Sequence, residues 1–297
     1  MSSADRRGHP LATCMCRTCG LVAHERIPTD AELDRYYASD YRRDYHGELT
    51  PSPRRVMRAW RNGERIHDQV RGHVGVGSVI EIGAGIGCTV KVFEQAGWQA
   101  EGIDPNVGFL DYSHERLHAP MHVGTVASLE GHEPVDLVLL VHVIEHFRSP
   151  MDALRRIRAL LPTGKHLYVE CPNLAAPFAA FPRLFHFAHI HNFTPTTLEA
   201  MAAIAGFRRV TRFGDDRDPN LQVLFRADEP LRPALGGGVA ETRDALARSK
   251  PLRYHLRLRY LADRARKVWS YARERVLARR FVAELEARCV RGALLSA

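Results

Sequence analysis

Glycines at alternate positions, Gly83-Ala84-Gly85-Ile86-Gly87, follow directly on the apolar run Ser78–Ile82 and precede a helical pattern at 90–96 that Gly97 closes. A short apolar strand feeding a glycine turn and then a helix is how an open α/β sheet begins. A ligand at the carboxyl end of such a strand lies against the turn, where a Cβ would block its approach. The same alternation continues downstream. Strand patterns are expected at 99–103, 135–141, 166–170 and 220–226, and helices at 51–75, 150–161 and 195–205. The last helix has Thr194 placed to cap it, Pro195 at its first position and Gly206 to stop it. Strands alternating with helices predict a Rossmann-like, doubly wound α/β fold with a mainly parallel sheet. Around it the chain divides into an N-terminal arm at 1–50, a central domain at 51–229 and a C-terminal helical extension at 230–297.

The spacing of the glycines narrows the ligand. A dinucleotide fingerprint reads G-x-G-x-x-G and a P-loop reads G-x-x-x-x-G-K-[ST]. This loop is G-x-G-x-G, with Glu81 two positions before its first glycine. A carboxylate there is poor company for a pyrophosphate and good company for a cation. S-adenosylmethionine fits, because it lacks phosphate and carries an amino group and a sulfonium. Asp104 lies 21 residues after Gly83, at the end of the next expected strand. A carboxylate at that place can accept hydrogen bonds from both hydroxyls of a ribose.

From about Cys16 to Arg226 the chain resembles the class I S-adenosylmethionine-dependent methyltransferases, in the group related to the ubiquinone and sugar methyltransferases. The resemblance is carried by Glu81 to Gly87, Gly102-Ile-Asp104-Pro105, Val141-His-Val-Ile-Glu145-His146-Phe147, Leu161-Pro-Thr-Gly164, Pro172-Asn173, His191-Asn-Phe-Thr-Pro195 and Ala205-Gly206-Phe207. It implies an S-adenosylmethionine site formed by Glu81, Gly83, Gly85, Gly87, Asp104 and Pro105, with Thr125, Val126 and His142 adding contacts. The family often has an acid after its third strand to hold the adenine amino group. This chain has Gly124-Thr125-Val126 there, so a hydroxyl or a backbone group must serve.

The resemblance also places two histidine segments beside the acceptor: His142 and His146 with Glu145, and His189 with His191. A hydroxyl acceptor must lose a proton, and histidine suits that role near neutral pH. His146 and His191 are therefore the candidate bases, and Glu145 the residue that orients or binds. The competing reading is that these histidines pack on the sheet edge or cap the next helix. No Asn-Pro-Pro-Tyr follows the fourth strand, which favours O-methylation and leaves C- and N-transfer open. Phe178, Phe181, Phe185 and Phe187 either cover a partly apolar acceptor or pack as ordinary core.

Charge and cysteines bound the partners. The net charge is +8, and residues 250–297 hold 13 lysines and arginines against 4 acids, so the surplus belongs to the extension. Leu258, Leu261, Ala265, Val268 and Ala272 repeat at helical spacing there. The extension is expected to pack on the domain or on a second subunit in an oligomer. A nucleic-acid or membrane-surface patch is the alternative. Gly236 to Gly238 reads as a flexible break before it. Cys16 and Cys19 form half of a zinc knuckle that Cys14 with His9 or His24 could complete, against a reading as reduced thiols. Without an apolar h-region or a run of about 20 apolar residues, the expected location is cytoplasmic. The expected partner is a small-molecule or glycan acceptor. The alternatives are an RNA or protein acceptor recruited by the tail, and a cofactor-binding scaffold without activity, which would need neither the glycine loop nor Asp104.

Overall fold

A computed structural model describes residues 11–36, 50–105, 107–176, 184–250 and 258–296. Its strands are β1 (Thr13–Met15), β2 (Val22–His24), β3 (Ser78–Ile82), β4 (Gln99–Asp104), β5 (Met121–Val123), β6 (Leu137–Val141), β7 (His166–Pro172), β8 (His191–Asn192), β9 (Phe207–Phe213) and β10 (Asn220–Ala227). Its helices are α1 (Asp30–Arg35), α2 (Pro53–Val70), α3 (Cys88–Gln95), α4 (Pro150–Leu160), α5 (Pro195–Ile204), α6 (Gly236–Arg248) and α7 (Leu258–Ser296), besides single turns. Seven strands form the main sheet in the order β5-β4-β3-β6-β7-β10-β9. β3, β4 and β5 run parallel, and β10 runs antiparallel to both β7 and β9. The sheet is mainly parallel and Rossmann-like, as the alternation predicts. None of the described helices is long and apolar enough to cross a membrane.

The chain forms two compact units. One comprises Asp34–Gly131, Val135–Leu139 and Leu261–Ala297. Here α2 buries Val56, Met57, Trp60, Ile66 and Val70 along one face. The core joins Val56 and Trp60 to Cys88 and Val90 of α3, to Leu117 and Met121, and to Val282, Leu285 and Cys289 of α7. The basic extension is thus part of this core rather than a free tail. Several of its charges are engaged within the unit: Glu274 accepts hydrogen bonds from Arg54 and Arg58 at 2.8 Å, and the Arg288 guanidinium lies 5.2 Å from the centre of the Trp60 ring. The side chains of Leu258, Leu261, Ala265, Val268 and Ala272 lie outside the described residues. Truncating a fully buried leucine removes its transfer free energy and leaves a cavity. Leu285→Ala is expected to destabilise the protein by about 2–5 kcal/mol, read as a lowered denaturation midpoint. A change below about 0.5 kcal/mol, the size of an ordinary surface substitution, would remove α7 from the core.

The other unit comprises Met1–Leu33, His132–Pro134 and Leu140–Tyr260. In it β1, β2 and β8 make a small antiparallel sheet, with Ala23 opposite His191. These strands of two or three residues escape a sequence reading, because their pairing is non-local and their length too short for periodicity. β9 escaped it too. Its sequence, Phe-Arg-Arg-Val-Thr-Arg-Phe, carries the charges typical of a protected sheet edge.

One expectation is corrected here. Gly236 to Gly238 opens α6 instead of breaking the chain, and the helical extension is two helices, α6 and α7. The glycines permit close backbone contact. A Cβ on Gly238 would overlap the Cys19 carbonyl oxygen, and Thr242 donates a hydrogen bond to the Gly20 carbonyl at 2.9 Å. The cysteine turn and α6 therefore hold each other. Among the described residues, Cys14, Cys16 and Cys19 do not gather with a histidine into a metal-capable set. Cys14 and Cys16 are exposed, and His9 lies outside the described residues.

Candidate functional site

The glycine loop leaves β3 and folds back onto the end of β4. The backbone N–H groups of Gly83 and Ala84 donate to the Ile103 carbonyl at 2.7 and 3.1 Å. Gly83, Gly85 and Gly87 all have positive φ. At Gly85 φ is 56°, which disfavours any side chain, and the space a Cβ would take is open. Its N–H donates to Asp104 Oδ2 at 2.8 Å. The loop and Asp104 are thereby locked together. A carboxylate offers about four acceptor positions, and this bond uses one.

Glu81 sits beneath the loop on β3 and is 4% exposed. Its Oε2 has no hydrogen-bond partner among the described residues. Burial pushes its carboxyl up to about 8, against the effect of Thr89 and assisted by the charge of Asp104. A buried, incompletely satisfied carboxyl beside an open glycine turn fits a cationic ligand, and so fits S-adenosylmethionine. Glu81, the glycine loop and Asp104 are the residues that would hold it. A cation favours the ionised carboxylate, so binding should expel a proton below pH 8 and tighten as pH rises toward 8. Affinity for S-adenosylmethionine is expected to improve several-fold between pH 6 and pH 8, with proton release visible as a buffer-dependent binding enthalpy. A flat profile would show that Glu81 does not respond to the ligand.

Pro105 is exposed directly after β4. Thr125 is also exposed and caps a short turn: its hydroxyl accepts from the Ala127 N–H at 3.2 Å, and its own N–H donates to Ser128 Oγ at 3.0 Å. Val126 is half-buried in that turn. The Thr125 N–H and part of its hydroxyl's acceptor capacity are spent on this cap, and its carbonyl accepts from Ser128, leaving the hydroxyl proton for an adenine.

The histidines lie in the other unit. β6 ends at Val141, and His142 follows with φ at 55°, a conformation that β-carbon residues seldom adopt. Its N–H donates to the Glu170 carbonyl at 2.8 Å. Its ring lies between two buried carboxylates, with Nδ1 3.4 Å from Glu145 Oε1 and Nε2 3.6 Å from Glu170 Oε1. Burial opposes a charge on this ring, but the two carboxylates outweigh it and hold it above the ordinary imidazole range. His142, itself 42% exposed, is thus engaged by two acids, a setting that its grouping with the cofactor contacts did not anticipate. Burial likewise opposes the charge of Glu145, and His142 overrides it, keeping that carboxyl down at about 2.

His146 Nδ1 lies 2.8 Å from the Ala188 carbonyl, which can only accept, so Nδ1 carries the proton. Nε2, the acceptor of the neutral ring, is 3.9 Å from Glu145 Oε1. Burial lowers the pKa of His146, opposed by the Glu145 charge and the Ala188 carbonyl. His189 stands edge-on to His146 with ring centres 5.0 Å apart. Burial and the neighbouring His146 push His189 down to about 3. His191 is buried and stacked on Phe193, and burial together with His24 pushes it down to about 4. Phe185 is buried in a cluster with Leu11, Val22, Leu174, Leu184 and Ala245, which is core packing, while Phe178 and Phe181 lie outside the described residues.

Glu170 is the residue that sequence reasoning missed. It is 2% exposed and accepts from Asn220 Nδ2 at 3.1 Å and from the Tyr168 hydroxyl at 3.2 Å. The signal was available, since an acid inside the apolar run Leu167-Tyr-Val-Glu-Cys171 must be paired if the strand is buried.

Residues 41–212 match the methyltransferase-domain family. The chain belongs to that family. The methyltransferase domain is of class I and S-adenosylmethionine-dependent, in keeping with the glycine loop and Asp104. It is similar to the C-methyltransferase NovU of Streptomyces niveus, with 26% identity over 248 residues. That match covers 79% of this chain and 56% of NovU, so the chain spans little more than half the length of that relative. Among solved structures it resembles the Burkholderia thailandensis 1,6-didemethyltoxoflavin-N1-methyltransferase, crystallised with its substrate and S-adenosylhomocysteine. The identity is 18%, the TM-score 0.54, and the coverage 73% of this chain and 100% of that one. The CcbJ methyltransferase of Streptomyces caelestis matches at 19% identity and a TM-score of 0.49, over 56% of this chain and 95% of its own.

Proposed function

We propose that this protein transfers the methyl group of S-adenosylmethionine to an oxygen of a small-molecule or glycan acceptor, with His146 as the base. One observation carries the base assignment. His146 is a neutral ring whose tautomer is fixed by the Ala188 carbonyl and whose acceptor nitrogen faces the buried Glu145 carboxylate. The bound cofactor supplies an activated methyl group, and the chain's own residues position the acceptor and handle its proton. His146 Nε2 takes the proton from the acceptor hydroxyl. The imidazolium so formed gains the nearby charge of Glu145, which is strong in a dry site. His191 is the weaker candidate, because burial drives it further from the protonated form.

The likeness to NovU favours a second reading, in which the acceptor atom is a carbon next to a carbonyl. The same base would then remove a carbon-bound proton. The likeness to methyltransferases of small molecules supports a small acceptor over RNA or protein, and the use of α7 in the core weakens a recruiting role for the basic extension. Incubation with 13C-methyl S-adenosylmethionine and panels of hydroxylated and keto-bearing small molecules, read by NMR, separates the readings. A methyl signal in the methoxy range supports oxygen transfer, and one in the aliphatic range supports carbon transfer. Transfer to neither panel, with labelled RNA or protein instead, would refute both.

A further inference from the structure

Glu145, His146 and His189 bring one carboxylate oxygen and two imidazole nitrogens within 4.8 Å of one another. Glu145 is 1% exposed, and neither of its oxygens completes a hydrogen bond among the described residues. His142 lies 3.4 Å from one of them, near enough to share charge but not to satisfy both. A fully buried carboxylate left in that condition is costly. The second imidazole is prepared in the manner of a metal ligand. His146 donates its Nδ1 proton to a backbone carbonyl, which fixes the tautomer with Nε2 as the electron-pair donor. His189 stands edge-on to His146 with ring centres 5.0 Å apart, which brings its ring to the same carboxylate.

We infer that Glu145, His146 and His189 form a binding site for a first-row divalent ion of the zinc class. Two imidazoles and one carboxylate are a ligand set that zinc accepts, with its fourth position open. Ligand atoms around tetrahedral zinc lie about 3.3 Å apart at bond lengths near 2.0 Å, so the three groups have to draw together to hold it. Magnesium and calcium prefer all-oxygen shells and are not expected to bind tightly. The site is distinct from the cysteine turn, and it does not depend on which acceptor is methylated. Where His146 serves as base, a bound ion takes the same nitrogen and would suppress turnover.

The test uses the full chain stripped with a chelator and titrated with Co2+ and then Zn2+, with no methyl donor present. Optical spectra and competition with a metal-binding dye give the ligand type and the affinity. The expected result is one saturable equivalent, with d–d bands but no thiolate charge-transfer band. Affinity should fall at least about tenfold in His189→Ala and in the near-isosteric Glu145→Gln. It should be unchanged when Cys14, Cys16 and Cys19 are all replaced by Ser. Absence of saturable binding by the wild-type chain, a thiolate band, or binding lost only in the serine variant would overturn the inference.

Discussion

Replacing His146 by Ala is expected to lower the rate of methyl transfer by about 10²- to 10⁴-fold, the usual contribution of a positioned base. Affinity for S-adenosylmethionine should stay within about threefold, because Glu81, the glycine loop and Asp104, not His146, are the residues that would hold the cofactor. The pH profile distinguishes a base from a packing residue. Burial lowers His146 from its ordinary 6.5, so the acid limb of kcat/KM should lie below pH 6.5 and disappear in the variant. Glu145→Gln should also slow the reaction, since it removes the charge that receives the imidazolium while keeping the shape. His191→Ala should cost less, because its ring is driven down to about 4 and is already committed to stacking on Phe193. Equal losses in the His146 and His191 variants would return both histidines to a packing role.

The second large effect concerns Asp104. Its Oδ2 accepts the Gly85 N–H at 2.8 Å, so Asp104→Ala removes both a candidate ribose contact and the bond that sets the turn. Hydrogen bonds to a charged group contribute about 1.5–3 kcal/mol. Affinity for S-adenosylmethionine should therefore fall by about 10- to 100-fold, measured by calorimetry on folded protein. Asp104→Asn keeps one oxygen as acceptor for Gly85 and should lose less. A variant that binds the cofactor as well as the wild type would show that Asp104 only shapes the loop.

The parts that could be read from the sequence are those encoded locally. The apolar run at β3, the alternate glycines and the two acids sit within 27 residues, and their chemistry names a cationic nucleoside ligand before any fold is known. The cap of α5 was equally legible: Thr194 accepts from the Thr197 N–H at 3.3 Å, and Pro195 opens the helix. What could not be read depends on distant partners. The glycines at 236–238 look like a break until Cys19 is found against Gly238. That the Arg-rich stretch packs was expected, but not against what: Val282, Leu285 and Cys289 lie against Trp60 of α2. The histidines were visible as a group, but their protonation states were not. His142 is drawn toward its charged form because Glu170, from a different strand, lies opposite Glu145. His146 is assigned the base only because the Ala188 carbonyl selects its tautomer.

The most direct test of the central claim follows the methyl group itself. Purified protein would be incubated with methyl-labelled S-adenosylmethionine and a cell extract divided into small-molecule, lipid and glycan, RNA, and protein fractions, in parallel with His146→Ala. The account predicts label in a small-molecule or glycan fraction, reduced at least about 100-fold in the variant. Label in RNA or protein, or no label anywhere while the cofactor still binds, would contradict it.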